Sequence, residues 1–316
     1  MPFILLLAVL AAGPAAVDSA ADAATDSLSY RLRSVAVVVA RGDGRGQTIE
    51  PSGLAVDAFG RFVVSDAALH RLQRFGPDGH WLGESGALGS DPGQLRRPGS
   101  VAMLGALTVV ALDLENRRVE GYDVFGRRLG TLIDLLDPAL ADQVGRVDPV
   151  ALAADRGGAL YLADADRDRV LAFDFAGRFL RTLGGFGARP GSFRGLSGLA
   201  TAPRGGLITA ERVNARVQHL DAAGRVAASW PLAVARGPGA LAVAVDDSGR
   251  VAVADEASGR LWLFDADGRA LATLAGLARP RALAFAPDGT LLVAEAARGE
   301  VRRFAIERAA RAMRED

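Results

Sequence analysis

The chain of 316 residues contains no cysteine. A disulfide-stapled scaffold, a thiolate metal site and a cysteine nucleophile are therefore excluded, as is lipid attachment through an N-terminal cysteine. Lysine is absent too, so every basic residue is arginine and a Lys-containing phosphate loop cannot be built. There is no surplus of charge, with 37 basic against 37 acidic side chains, which leaves nothing over for a polyphosphate backbone. Asparagine occurs only at Asn116 and Asn214, and histidine only at His70, His80 and His219. The histidines stand at positions unrelated to one another, and neither a Gly-x-Ser-x-Gly elbow nor a His-Glu-x-x-His pair occurs. Half of the residues are apolar, which excludes disorder.

Phe3 to Ala12 is an uncharged apolar run followed by Gly13-Pro14 and an Ala-rich stretch. At about ten residues it is half of what a spanning helix needs. It suits the central region of a secretory signal over residues 1–23, although no arginine precedes it. The expectation is export to the periplasm or beyond, with membrane contact only through an uncleaved N-terminal segment.

What the chain does have is a repeat. Asp66, Asp113, Asp164, Glu211, Asp255 and Glu295 recur 40 to 51 residues apart, the period of a four-stranded propeller blade. Six positions after each comes an aliphatic residue: Leu72, Val119, Val170, Val217, Leu261 and Val301. Nine positions after come Phe75, Tyr122, Phe173, Leu220, Phe264 and Phe304, and eleven before stands alanine in every unit, from Ala55 to Ala284. Short apolar runs bounded by Asp and Gly read as buried strands, and segments such as Pro77-Asp78-Gly79 as hairpin turns. Small residues on the first strand suit a convergence of blades on an axis, and the aromatic suits the wider gap farther out. The pattern predicts an all-β, six-bladed propeller over residues 50–306, with a charged tail over 307–316.

Closure is legible as well. The sixth unit ends after its third strand, whereas residues 24–49 contain a strand-like segment over 30–39 that belongs to no unit. This segment is expected to supply the missing outer strand of the last blade, which removes two sheet edges at once. Blade 2 carries an insertion around Ile133 to Val147 in which Pro138 marks a candidate helix.

Asp164 followed by Asp168-Arg169-Val170-Leu171-Ala172-Phe173 and Gly177 resembles the NHL repeat, whose units read acid, Asn-x-Arg-aliphatic, aromatic and hairpin glycine. Asn116 with Arg118 and Asn214 with Arg216 keep both polar positions, Arg71, Arg169 and Arg260 keep the arginine, and unit six has Glu300 there. Such propellers serve as binding platforms, and some relatives are enzymes or bind RNA. The neutral charge and few aromatics argue against nucleic acid here.

The acid and the arginine five residues on read as a structural ion pair in each of five units: Asp66–Arg71, Asp113–Arg118, Asp164–Arg169, Glu211–Arg216 and Asp255–Arg260. Function should lie where the symmetry breaks. Asp164, Asp166 and Asp168 form a candidate cation loop, but Arg169 and Phe175 stand where a calcium loop needs glycine and glutamate. Glu50, Arg97, Asp148, Arg279 and Arg281 are the charges expected around the channel mouth. Their arginine excess on blades 2 and 6 points to an anionic or peptide-like partner. Similarity to gluconolactonase-type propellers implies a channel cation held by Glu, Asn and Asp. Glu50 resembles the start of that set, but Gly99, Val150, Ser197, Leu241 and Arg281 at the other strand entries do not continue it. The combined reading is an exported, monomeric, non-catalytic scaffold that binds a protein or small ligand on its loop face and requires no cofactor. A metal-dependent lactonase is the alternative and an RNA platform ranks behind it.

Overall fold

The computed structural model describes residues 28–309, and the expected signal sequence lies outside them. Within this span the chain forms six sheets, antiparallel except where the two-residue β2 (Gln47–Thr48) adds in parallel at the edge of the sixth, and blades 1 to 5 are each entered by their innermost strand. Blade 1 comprises β3 (Pro51–Val56), β4 (Phe62–Asp66), β5 (Arg71–Phe75) and β6 (Trp81–Ser85). Blade 2 comprises β7 (Pro98–Leu104), β8 (Thr108–Asp113), β9 (Arg118–Asp123) and β10 (Arg128–Asp134). Blade 3 is built of β11 (Pro149–Ala154), β12 (Leu160–Asp164), β13 (Arg169–Phe173) and β14 (Phe179–Gly184). Blade 4 follows with β15 (Leu196–Thr201), β16 (Leu207–Glu211), β17 (Arg216–Leu220) and β18 (Val226–Pro231). Blade 5 has β19 (Leu241–Val245), β20 (Val251–Asp255), β21 (Arg260–Phe264) and β22 (Ala270–Leu274). The inner strands touch in sequence, β3 on β7 through to β19 on β23 (Pro280–Phe285), and β23 returns to β3. Six blades therefore close a ring.

Closure occurs on blade 6. There β23, β24 (Leu291–Glu295) and β25 (Glu300–Arg308) are joined by β1 (Tyr30–Arg41), which pairs antiparallel with β25. The closing strand runs two residues beyond the expected 30–39. Its partner continues to Arg308, so the start of the expected tail is strand. Glu307 there binds Arg31 at 3.1 Å and Arg33 at 2.7 Å, giving the extra length a reason. The remainder of the tail lies outside the described residues. The insertion after blade 2 does contain a helix, α1 (Pro138–Val144), with Pro138 in its first turn and the Asp137 carboxylate accepting the Ala139 amide. Among the described residues no helix is long and apolar enough to cross a membrane.

The apolar core is divided among six clusters, and each lies between two neighbouring blades. Ala55, Val63 and Leu72 of blade 1, for example, meet Val101, Val109, Ala111 and Tyr122 of blade 2. The periodic aromatics are buried as expected, and Phe75 stacks on Phe62 at 5.0 Å. Closest approach near the axis falls on Gly53 and Gly198. A Cβ at Gly53 would lie 2.4 Å from the Gly99 carbonyl oxygen of the next blade, and one at Gly198 would lie 2.8 Å from that of Leu241. Any side chain there would force inner strands apart. The alanines two positions on line the same convergence, with Ala55, Ala153, Ala244 and Ala284 buried and Ala102 and Ala200 half-buried.

Because β1 contributes Val39 and Leu32 to two of the six clusters and covers the edge of β25, ring closure depends on it. Deletion of residues 30–41 should yield insoluble protein or a chain without a cooperative thermal transition. A soluble truncation melting at the wild-type temperature would contradict this role.

Candidate functional site

The six anchor acids end the second strand of each blade and are fully buried. Each accepts a backbone amide from the linker that enters its own blade. The donors are Ile49 to Asp66, Arg96 to Asp113, Asp148 to Asp164, Arg194 to Glu211, Ala235 to Asp255 and Ala278 to Glu295, at 2.6–3.1 Å. A buried carboxylate without partners would be costly, so each is also met by hydroxyl, amide or guanidinium groups.

Three of the five expected pairs form: Arg118–Asp113 at 3.0 Å, Arg169–Asp164 at 2.8 Å and Arg216–Glu211 at 2.8 Å. Two do not. Arg71 turns to Glu84 at 2.9 Å and to the carbonyls of Asp43, Gly44 and Gln47, while Asp66 is satisfied by amides alone. In blade 5, Asp255 is reached by Arg212 from blade 4 and by Ser258, so Arg260 is left exposed. Blade 6 compensates for Glu300 by pairing Glu295 with Arg298 and with Arg302.

The pairs do not form a free ring of charge, since their guanidinium groups are spent on linker carbonyls. Arg118 donates to Ser90 O and Gln94 O, and Arg216 likewise to Ala188 O and Ser192 O. Asn116 and Asn214 hold Gly89 O and Gly187 O in the same two linkers. Sequence reading missed Gln73 and Gln218, two buried residues seven positions after the anchor, which bind the linkers at Gly46 and Gly191. Polar residues at a strand centre that should be apolar were the available signal.

The candidate cation loop does not assemble. Asp164 is occupied by Arg169 and by the Asp148 and Asp166 amides, Asp168 accepts the Leu196 amide at 2.9 Å, and Asp166 is exposed. Among the described residues no three His, Cys, Asp or Glu side chains are grouped to hold a metal ion.

The mouth charges behave differently. Glu50 lies 3.7 Å from Arg97 and 3.5 Å from Arg281; Arg97 is 3.6 Å from Glu115. Glu256 takes Arg281 at 2.9 Å and Arg279 at 2.8 Å. Four of the five expected residues thus join one chain, Glu115–Arg97–Glu50–Arg281–Glu256–Arg279, that crosses blades 2, 1, 6 and 5. Asp148 is exposed and apart from it. Glu115 and Glu256, next to the anchors, were not foreseen. A β-bulge opens the inner strand in five blades, and in blade 6 the bulged residue is Arg281 itself, re-aimed by the bulge. Arg97 and Arg279 adopt left-handed φ of 50° and 54°, where blades 4 and 5 have Gly195 and Gly239. A side chain held in that region carries a backbone cost.

No family model matches the chain. It is 27% identical over 144 residues to protein brain tumor of Drosophila melanogaster; the match covers 44% of this chain and 13% of that protein's length. Among solved structures it is similar to a gluconolactonase of Xanthomonas campestris, with a TM-score of 0.61 at 16% identity over 89% of this chain and 96% of the other. Streptogramin B lyase gives 0.58 at 10% identity, covering 88% and 98%. Virginiamycin B lyase from Staphylococcus aureus gives 0.57 at 10%, covering 87% and 99%. At these identities the likeness shows the fold, a six-bladed propeller with NHL-like repeats.

Burial alone would raise the pKa values of Asp255 and Glu256, but the partners win. Arg212, Ser258 and the amides of Ala235 and Ala257 hold Asp255 below its ordinary 3.8. The Ala240 amide, Arg279 and Arg281 hold Glu256 below 4.5. A carboxylate depressed in the folded state adds stability that is complete above its unfolded pKa and is lost as pH falls toward the folded one. Urea unfolding free energy should therefore decline from about pH 5 to pH 3; a level profile would contradict these assignments. Glu211→Ala, which strips acceptors from Arg216, Asn214 and Gln218, should cost about 3 kcal/mol, whereas Arg260→Ala should change stability by less than about 0.5 kcal/mol. Equal effects in urea titrations would show that the buried anchors are not special.

Proposed function

We propose that this propeller is an exported, non-catalytic binding platform and that the ionic mouth takes a protein or peptide partner carrying acidic groups. The supporting observation is the pair Arg97 and Arg279. Both adopt left-handed φ at a position that holds glycine in blades 4 and 5 and Glu50 and Asp148 in blades 1 and 3, and both are nearly half exposed. Four of the six blades do without arginine at this position, so the two side chains are available for a use outside the fold. Each is oriented from within by a carboxylate. Arg279 spends Nε and Nη2 on Glu256, and further N–H donors remain for a ligand. Rigid sheets presenting recognition groups at their loop ends are a common binding architecture. The sequence match to protein brain tumor accords with an NHL-type platform.

The enzyme alternative draws support from the likeness to the gluconolactonase fold. The residues do not fit its cation. Glu50 is bracketed by Arg97 and Arg281, and the remaining strand entries offer Ser52, Gly99, Val150, Ser197 and Leu241 in place of a ligand set.

Immobilised wild-type chain should capture a partner that the Arg279→Glu/Arg281→Glu variant loses while melting at a similar temperature, and capture should weaken with salt. Equal capture by both would remove this face from the account. Cation-dependent hydrolysis of a sugar lactone, abolished by Glu50→Gln, would establish the enzyme instead.

A further inference from the structure

Each blade turns from its second strand into its third through a loop whose fourth residue after the anchor acid is left-handed. The six are His70, Arg117, Asp168, Ala215, Gly259 and Gly299, with φ between 45° and 68°. From this position a long enough side chain reaches forward to where the next blade begins. Asp168 accepts the Leu196 amide at 2.9 Å, and Arg117 donates to the Val147 carbonyl. His70 does the same at the mouth: its Nδ1 accepts the backbone amide of Arg97 at 3.0 Å.

An amide N–H can only donate, so the imidazole nitrogen facing it carries no proton and the other nitrogen does. A carboxylate accepts across the neutral range. An imidazole accepts only while uncharged, and histidine is the side chain that ordinarily changes charge between pH 5 and 8. The bond matters because little else fixes Arg97. Its guanidinium lies 3.7 Å from Glu50 and 3.6 Å from Glu115, beyond hydrogen-bond length, whereas Arg279 is held by Glu256 at 2.8 Å. Its left-handed φ of 50° also favours release once a restraint is lost. The charges around the imidazole are engaged elsewhere. Asp66 takes four amides, Arg71 pairs with Glu84, and Arg96 lies 3.9 Å from Glu115. Among the described residues His80 is the one histidine in an ion pair, with Asp78 in the β5–β6 turn. An imidazolium at position 70 therefore gains no counter-ion to offset the bond it loses.

We infer that His70 is a positioning residue for Arg97 and makes the mouth sensitive to pH. Neutral, its Nδ1 holds the Arg97 amide and with it the left-handed turn into β7. Protonation replaces that acceptor with a second N–H donor, the amide loses its partner, and Arg97 leaves the chain Glu115–Arg97–Glu50. Acid thus opens one arm of the mouth, while Arg279 and Arg281 stay on Glu256. The effect on a bound partner rests on the mouth being the binding face; the release of Arg97 does not.

Two measurements on the full-length chain test this. In nuclear magnetic resonance titrations from about pH 8 to about pH 5, the His70 ring should report the Nε2–H form at the upper end. The Arg97 amide proton should shift with the midpoint of that ring, and its protection from exchange should fall about fivefold, the worth of one hydrogen bond. In His70→Asn, whose side-chain oxygen accepts an amide and which tolerates left-handed φ, both should stay level. An Arg97 amide that ignores the ring's titration, or that moves equally in His70→Asn, would overturn the inference. The second measurement is the anisotropy of a fluorescent hexa-aspartate peptide. Wild type should bind it about threefold more weakly at the acid end, and His70→Asn equally at both ends. A loss shared by both proteins would overturn control by His70. No binding to either protein, with the amide still following the ring, would remove the acidic partner and leave the release of Arg97 established.

Discussion

A carboxylate that water cannot reach, closing the second strand of each blade, accepts the amide of the segment that leads into that blade. The six instances differ in nearly every other partner. Asp66 relies on amides, Glu211 on an arginine, an asparagine and a glutamine, and Asp255 on an arginine borrowed from the preceding blade. Only the linker amide is constant. A buried charge must be met by donors or it destabilises the fold, so the constancy fixes the angle at which successive blades join. Apolar clusters between blades then supply most of the driving force, as they do in any packed interior.

Repetition separates what the fold needs from what it does not. Arginine five residues after the anchor recurs because linker carbonyls need a donor; in blade 6, where it is lost, Arg298 and Arg302 meet the anchor, and in blade 5, where Arg260 is exposed, Arg212 does so. The mouth and three exposed hairpin turns are another matter. Arg97 and Arg279 stand where glycine would be easier, and Phe59, Phe125 and Phe175 stand where polar residues would serve. These departures sit on opposite faces of the ring, and a two-faced molecule is what they describe: charged and fixed on one side, apolar and protruding on the other.

Much of this was legible in the residues. Blade number, the closing strand and the inserted helix followed from spacing, because each depends on local patterns that a period of two and a hairpin glycine make visible. The mouth residues were partly legible, since Glu50, Arg97 and Arg279 share one offset from their anchors and Arg281 stands two residues farther along its strand. Glu115 and Glu256 were not, because their convergence depends on how neighbouring blades are rotated, and no single unit encodes that. The Asp66–Arg71 and Asp255–Arg260 pairs failed for a related reason. Residues five apart on one loop compete with groups from the adjoining linker, and Glu84 and Arg212 lie close only once the ring has closed.

Hydrogen exchange at the six linker amides tests the central constraint most directly. The amides of Ile49, Arg96, Asp148, Arg194, Ala235 and Ala278 lie in irregular segments, where unanchored backbone exchanges fast. If buried carboxylates set the blade angles, all six should be protected to a degree approaching that of the central strands. Exchange as rapid as that of the exposed hairpin turns would contradict the account.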